Sequence, residues 1–357
     1  MKIRVLIVDD AVVVRSRVSK ILSTVPEIEV AGIAANGRIA LAKIPQVNPD
    51  VIILDIEMPD MNGLETLAAI RETYPKLPVI MFSTFTIAGA TATLEALSLG
   101  ANDYATKPSN MVNVEAANQH ILTELVPKIK LFGAVRGEGR VKRTYVYSSP
   151  SPTPDSPPPT PSVLAIGVSA GGPNALAELL PALSADFPVP ILIVQHMPPM
   201  FTKLLAERLA SKCKIRVREA TPGAVLEPGI AWIAPGDFHM MVERNGDTVQ
   251  IATNQAPPEN FCRPAVDVLF RSVAQVYGAN SLVVVLTGMG QDGLRGCGHI
   301  HEVGGTIFVQ DEASSVVWGM PGLVANAGLA ERIIALDQMA DVINLRFARS
   351  GDTTSKS

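Results

Sequence analysis

The chain has 357 residues, 47% hydrophobic and 18% charged, with a formal net charge of −4. That length exceeds one ordinary domain and suits two, each burying its own core, while the composition excludes a disordered chain and the apolar runs fall short of a membrane span. An acidic balance without a dense Lys/Arg stripe argues against a nucleic-acid-binding output and leaves a protein as the expected partner.

The chain opens on MKIRVLIVDD, two basic residues running into a short apolar stretch that ends in acids, with no small-residue cleavage site; a core strand is expected there, not a signal peptide. Apolar runs at 3–8, 51–54 and 78–82 are separated by helical spacing near 12–24, 37–46, 63–73, 88–99 and 110–131. Asn62 and Gly63 open the third helix. The pattern is that of buried parallel strands with crossover helices, five strand-helix units in all. The stretch SSPSPTPDSPPPTPS at 148–162 carries seven prolines and nothing that could join a core, so it predicts an extended spacer between domains. The basic, glycine-containing segment 133–143 before it belongs to the same linker. Strand-like runs resume at 163–168, 190–195, 230–234, 248–252, 281–286 and 305–309, with helical patterns at 173–182, 201–212, 264–277 and 293–303. They predict a second α/β domain with a local hairpin within 223–252.

Functional groups of an open parallel sheet gather at the carboxyl ends of its strands. Asp9 and Asp10 end the first strand and Asp55 the third. Three converging carboxylates repel one another unless a cation intervenes, and oxygen ligands without histidine suit Mg²⁺. Ser83 and Lys107 close the following strands, placing a hydroxyl and an ammonium where they could hold the oxygens of a phosphoryl group on Asp55.

In the second half, Ser169 stands in GVSAGG on a strand-to-helix turn, with Gly167, Gly171 and Gly172 permitting close backbone approach. A serine nucleophile needs an oriented base and a buried acid. His196 ends the strand 190–195, and Asp292 lies in TGMGQDG after the strand 281–286, so all three face one sheet edge. The chain order Ser, His, Asp differs from that of the α/β-hydrolases. His239, inside the expected hairpin, ranks second as base. The run Cys297, His299, His301 has alternate spacing, which a helix splits around its surface, so metal binding is not expected there. The three cysteines, Cys213, Cys262 and Cys297, lie far apart and offer neither a disulfide framework nor a paired metal site, which suits a reducing cytoplasm. The glycine-rich TGMGQDG loop could offer backbone amides to an oxyanion, with Met289 the leading donor.

The ordered set VDD, LDIEMPDMNG, MFST and DYATKP resembles the response-regulator receiver domain over about the first 125 residues. The resemblance implies that Asp55 is the phosphoacceptor, that Asp9, Asp10, Asp55 and the Glu57 backbone hold Mg²⁺, that Ser83 and Tyr104 are the switch residues and that Lys107 contacts the phosphate. GVSAGG, QHMPP, APGDFHM, FCRPAVD, LTGMGQDG and GMPG together resemble the catalytic domain of the chemotaxis-type protein-glutamate methylesterases. That carries Ser169, His196 and Asp292 into a triad, with the Met289 and Ala170 amides as the candidate oxyanion hole and no esterase cofactor. Ala170 departs from the family, which often has a hydroxyl residue there; the main-chain amide remains.

The expected architecture is a flavodoxin-like (βα)5 receiver at 1–132, a linker at 133–162, a doubly wound parallel-sheet α/β esterase domain with a β-hairpin at 163–348 and a polar tail at 349–357. The expected function is a cytoplasmic, phosphorylation-activated hydrolase without membrane insertion. It would demethylate glutamate γ-methyl esters on chemoreceptors, deamidate certain receptor glutamines, and take its phosphoryl group from a chemotaxis-type histidine kinase. A tethered receiver needs only a weak interface to inhibit, since the linker keeps its effective concentration high. The alternative is a receiver-regulated docking protein without turnover. A DNA-binding regulator ranks third, for want of a basic recognition helix.

Overall fold

The computed structural model describes residues 2–108, 113–134 and 160–348. Most of the expected linker, 135–159, and the tail, 349–357, lie outside the described residues, as do the opening residues of the helix expected at 110–131. The chain divides into two compact units, Met1–Val146 and Tyr147–Ser357.

The first unit alternates β1 (Ile3–Val8), α1 (Val12–Leu22), β2 (Ile28–Ala34), α2 (Gly37–Val47), β3 (Val51–Asp55), α3 (Gly63–Thr73), β4 (Val79–Ser83), α4 (Ile87–Ser98) and β5 (Asp103–Thr106). Its sheet order is β2-β1-β3-β4-β5, parallel throughout. Every residue of β3 and β4 is buried, because helices cover both faces; that is why these strands read as unbroken apolar runs. Helix α3 begins where Asn62 and Glu65 form a reciprocal capping box, 2.9 Å in each direction. Gly63 is required there: a Cβ would run into the Asp55 carbonyl.

The last helix of this unit differs from the single one expected. It is α5 (Val114–His120), a π turn (Ile121–Leu125) and α6 (Val126–Ala134), two residues past the expected domain end. Pro127 has no N–H to give the Thr123 carbonyl, and the preceding Val126 N–H reaches back to Ile121 instead, which widens the turn.

The second unit runs β6 (Val163–Val168), α7 (Gly172–Leu179), β7 (Ile191–Gln195), α8 (Phe201–Ala210), β8 (Arg216–Glu219), β9 (Ile230–Ile233), β10 (His239–Asn245), β11 (Thr248–Asn254), α9 (Val266–Tyr277), β12 (Ser281–Val285), α10 (Leu294–Glu302), β13 (Thr306–Gln310), α11 (Met320–Asn326), β14 (Arg332–Ile334) and α12 (Leu336–Ala348). Seven strands form a parallel sheet in the order β14-β13-β12-β6-β7-β9-β8. From β6 the chain fills the side of β7, β9 and the edge strand β8 first and then the side of β12, β13 and β14, so the switch point lies between β6 and β12. The hairpin is β10-β11, antiparallel and turned by Gly246 at φ 58°. It is narrower than the expected span, since 223–226 contributes only an isolated bridge from Val225 to Gln250. Among the described residues no helix is long and apolar enough to cross a membrane.

Candidate functional site

In the first unit the switch point lies between β1 and β3, and there Asp9, Asp10 and Asp55 meet, one ligand oxygen of each within 4.8 Å of the others. Asp9 and Asp55 are buried and Asp10 is exposed. Lys107 Nζ lies 2.8 Å from Asp9 Oδ2 and 2.7 Å from Asp55 Oδ2. Burial pushes the Asp55 carboxyl up to about 6, with the Asp9 charge adding to the rise, while Lys107 and the Glu57 amide pull it down. Burial would lower Lys107, but the two carboxylates outweigh it and its pKa is raised. One ammonium between two buried carboxylates leaves negative charge uncompensated, and an all-oxygen donor set fits a hard cation such as Mg²⁺.

Ser83 does not turn to this cluster. Its buried hydroxyl donates to the Gly89 carbonyl at 3.1 Å, within the first turn of α4. The Glu57 N–H faces Asp55 Oδ1 at 3.4 Å. Tyr104 is buried, 5.3 Å from Lys128 Nζ at its ring centroid, and burial raises its phenol far above the usual value.

In the second unit the ends of β6, β7 and β12 converge. Ser169 follows β6, held by its N–H on the Thr287 carbonyl at 3.0 Å. The turn needs Gly171, at φ 78°, where any side chain would strike Val316. The His196 N–H bonds the Val168 carbonyl at 3.2 Å, and Gln195 Nε2 ties together the Ser169 and His196 carbonyls at 3.0 and 3.3 Å. His196 Nε2 lies 2.7 Å from Asp292 Oδ2.

Asp292 is fixed from every side. It accepts from the Val266 N–H at 2.6 Å, the Asp267 and Gly293 N–H at 3.0 Å each, and Asn260 Nδ2 at 3.0 Å. Two of these amides are the N-terminal groups of α9, whose dipole also favours a carboxylate. Burial would raise Asp292, but His196 and these amides outweigh it and hold the carboxyl below its usual value. Burial likewise disfavours the imidazolium of His196, yet Cys262 and Asp292 raise its pKa to about 10. A raised histidine stabilises the fold fully below its unfolded value near 6.5, and that contribution is lost as pH rises through about 10.

Among the described residues no hydrogen bond joins Ser169 Oγ to His196; the partner of His196 Nδ1 is Cys262 Sγ, at 3.6 Å. Neither the Ala170 nor the Met289 N–H is engaged by another described group, so both remain available beside Ser169. Gly288 packs directly on Ser169, and a Cβ there would fall 2.9 Å from Ser169 Cβ and run into the Met320 sulfur. We therefore expect Gly288→Ala to cost about 1–3 kcal/mol of stability and to lower ester turnover by displacing Ser169, checked by thermal melting and methanol release together.

His239 has no free nitrogen. It is buried, its Nε2 is 3.1 Å from the Pro257 carbonyl, and its Nδ1 accepts from the Ala265 N–H at 3.2 Å. Cys297 is buried in the core while His299 and His301 are exposed on the same helix. Sequence reasoning passed over Gln195, Asn260, Cys262 and Asp267. Three of these stand in or beside FCRPAVD and the fourth directly precedes His196, but their roles depend on partners 25 to 66 positions away that only folding supplies.

Residues 164–343 match the CheB methylesterase family model. That is half of the chain. The chain belongs to the CheB methylesterase family. Residues 5–119 match the response regulator receiver domain model. The chain is 57% identical over 353 residues to a protein-glutamate methylesterase/protein-glutamine glutaminase of Trichodesmium erythraeum (strain IMS101), covering 97% of this chain and 99% of that protein. It is 47% identical to one of Nocardioides sp. (strain ATCC BAA-499 / JS614), covering 97% and 96%. The crystal structure of the Thermotoga maritima CheB methylesterase catalytic domain aligns with a TM-score of 0.51 and 38% identity, covering 52% of this chain and 98% of that one. This CheB-family chain thus joins a receiver domain to an esterase domain.

Proposed function

We propose that this chain is a phosphorylation-activated protein-glutamate methylesterase that also deamidates glutamine side chains, acting in the cytoplasm on methylated chemoreceptors. The observation that carries the reading is the pairing of His196 with the buried Asp292 at the sheet's switch point, beside Ser169 and two unengaged amides. Ser169 Oγ attacks the ester carbonyl while His196 takes its proton. The oxyanion is held by the Ala170 and Met289 N–H groups. His196 then gives the proton to departing methanol, and water releases the glutamate acid by the same path. With a glutamine substrate the leaving group is ammonia.

In the receiver, Asp55 accepts a phosphoryl group from a chemotaxis-type histidine kinase, and Lys107 contacts its oxygens. Asp9, Asp10, Asp55 and the Glu57 backbone would hold Mg²⁺, which supplies charge neutralisation for that transfer. Ser83 and Tyr104 are the groups whose rearrangement would report phosphorylation.

Methanol release from methylated chemoreceptor membranes should rise on adding Mg²⁺ and a small phosphodonor, and Asp55→Asn should remove that rise. Stimulation that persists in the variant would sink the switch assignment, and no release from any receptor would favour a docking role.

A further inference from the structure

We propose that Cys262 is a positioning residue of the esterase, its sulfur occupying Nδ1 of His196 and competing with the Ser169 hydroxyl for the base. The inference rests on the reading of Ser169 and His196 given above and deepens it. With Nε2 committed to Asp292 at 2.7 Å, Nδ1 is the one ring nitrogen through which His196 can deprotonate Ser169. That nitrogen faces Cys262 Sγ at 3.6 Å.

The sulfur is not there by loose packing. Cys262 ends a tight turn closed by two backbone bonds to Glu259, 3.1 and 2.8 Å, with Asn260 and Phe261 both at positive φ, 51° and 64°. Two consecutive non-glycine residues in the left-handed region are unfavourable and need outside support. They have it. Arg271 on α9 makes a two-pronged ion pair to Glu259, and Asn260 Nδ2 bonds both Asp267 and Asp292. The turn that carries the sulfur is therefore bolted to the carboxylate on the other side of the ring, and one frame sets both partners of His196. In the resting arrangement Nδ1 and the sulfur lie 3.6 Å apart, and either can donate to the other. Attack by Ser169 requires an unprotonated Nδ1 and requires the ring to exchange Cys262 for the Ser169 hydroxyl.

The charged and titratable groups near the ring are Asp292 in contact, Asp267 joined to Asp292 through Asn260, the Glu259–Arg271 pair on the turn and on α9, and His239 on β10, which is committed to backbone. Removing Cys262 leaves these in place and deletes the one competitor for Nδ1. The test is the pH profile of kcat/KM for the full-length chain, with a chromogenic small ester and with methylated receptor membranes, for the wild type, Cys262→Ala and Cys262→Ser. Cys262→Ala should move the inflection to lower pH by about one unit, raising kcat/KM about tenfold on the acid side, and Cys262→Ser, which keeps a hydroxyl beside Nδ1, should move it less. An unmoved inflection, whether activity is unchanged or lowered evenly across the range, would overturn the proposal. Should the variants fold poorly, a ring-nitrogen NMR titration of wild-type His196 decides. Titration coupled to Cys262 supports the proposal, and an isolated transition near the free imidazole value of about 6.5 removes it. If the wild type hydrolyses neither substrate, the esterase reading fails, while this titration still tests the Cys262 contact.

Discussion

Replacing Ser169 by Ala is expected to lower ester turnover by about 10⁴- to 10⁶-fold and to leave phosphoryl uptake by Asp55 unchanged. The hydroxyl is the only atom removed, and no described group bonds to it, so the fold should lose nothing. The size of the effect follows from what a nucleophile does: without it the covalent path is lost and direct attack by water must replace it, with the amides and substrate binding still contributing. Phosphorylation reports on a different sheet, at the ends of β1 and β3, so its persistence would show an intact chain. The measurement is methanol release by the variant, with Asp55 phosphorylation followed in parallel. Turnover within about tenfold of wild type would transfer the nucleophile's role elsewhere, and Cys262, already on His196, would be the first place to look.

Asp292→Asn should be nearly as severe for catalysis, about 10⁴-fold in kcat, and unlike Ser169→Ala it should also cost stability. Asp292 is an acceptor on both oxygens, Oδ2 for Val266 N–H and His196, Oδ1 for Asp267 N–H, Gly293 N–H and Asn260. An asparagine offers one oxygen. Whichever way the amide is placed, its NH₂ meets an N–H donor in a buried site, and the α9 N-terminus loses its carboxylate; about 2–4 kcal/mol of stability is at stake. If the NH₂ faces His196, the ring must present a lone pair at Nε2 and carry its proton on Nδ1, the nitrogen that should be receiving one from Ser169. A lowered melting temperature with near-normal methanol release would show that Asp292 serves the helix and not the base.

Much of this was legible in the sequence because it is written in local signals. Strands buried on both faces by crossover helices must be unbroken apolar runs, and β1, β3, β4, β6, β7 and β12 were read that way to within a residue or two. Asn62 and Gly63 marked the start of α3 because a capping side chain and a missing Cβ are local requirements. Elements with weaker patterns were not read. β2 is only partly buried, β8 and β14 are the two edge strands of the second sheet, and α11 and α12 close the chain order of that unit, where half-buried faces leave no continuous run. The expected helix at 110–131 ran through Pro127, whose missing donor opens a π turn that hydrophobic spacing cannot show.

The sites divide the same way. A carboxylate or a serine at a strand's carboxyl end is a local fact, and a parallel sheet brings such ends together, so Asp9, Asp10, Asp55, Lys107, Ser169, His196 and Asp292 could all be named in advance. Which nitrogen of His196 meets which partner could not. That depends on a strained turn at 259–262, on Arg271 and Asn260 fastening it, and on the start of α9 meeting a loop 26 residues further on. By itself the sequence determined the two-domain plan and offered the candidates for each site, because the succession of elements and the motif chemistry are set by neighbours in the chain. Only the tertiary structure decided that Ser83 turns to Gly89, that His239 is spent on backbone, and that Cys262 stands beside His196, because those outcomes are set by hydrogen-bond geometry in the folded chain.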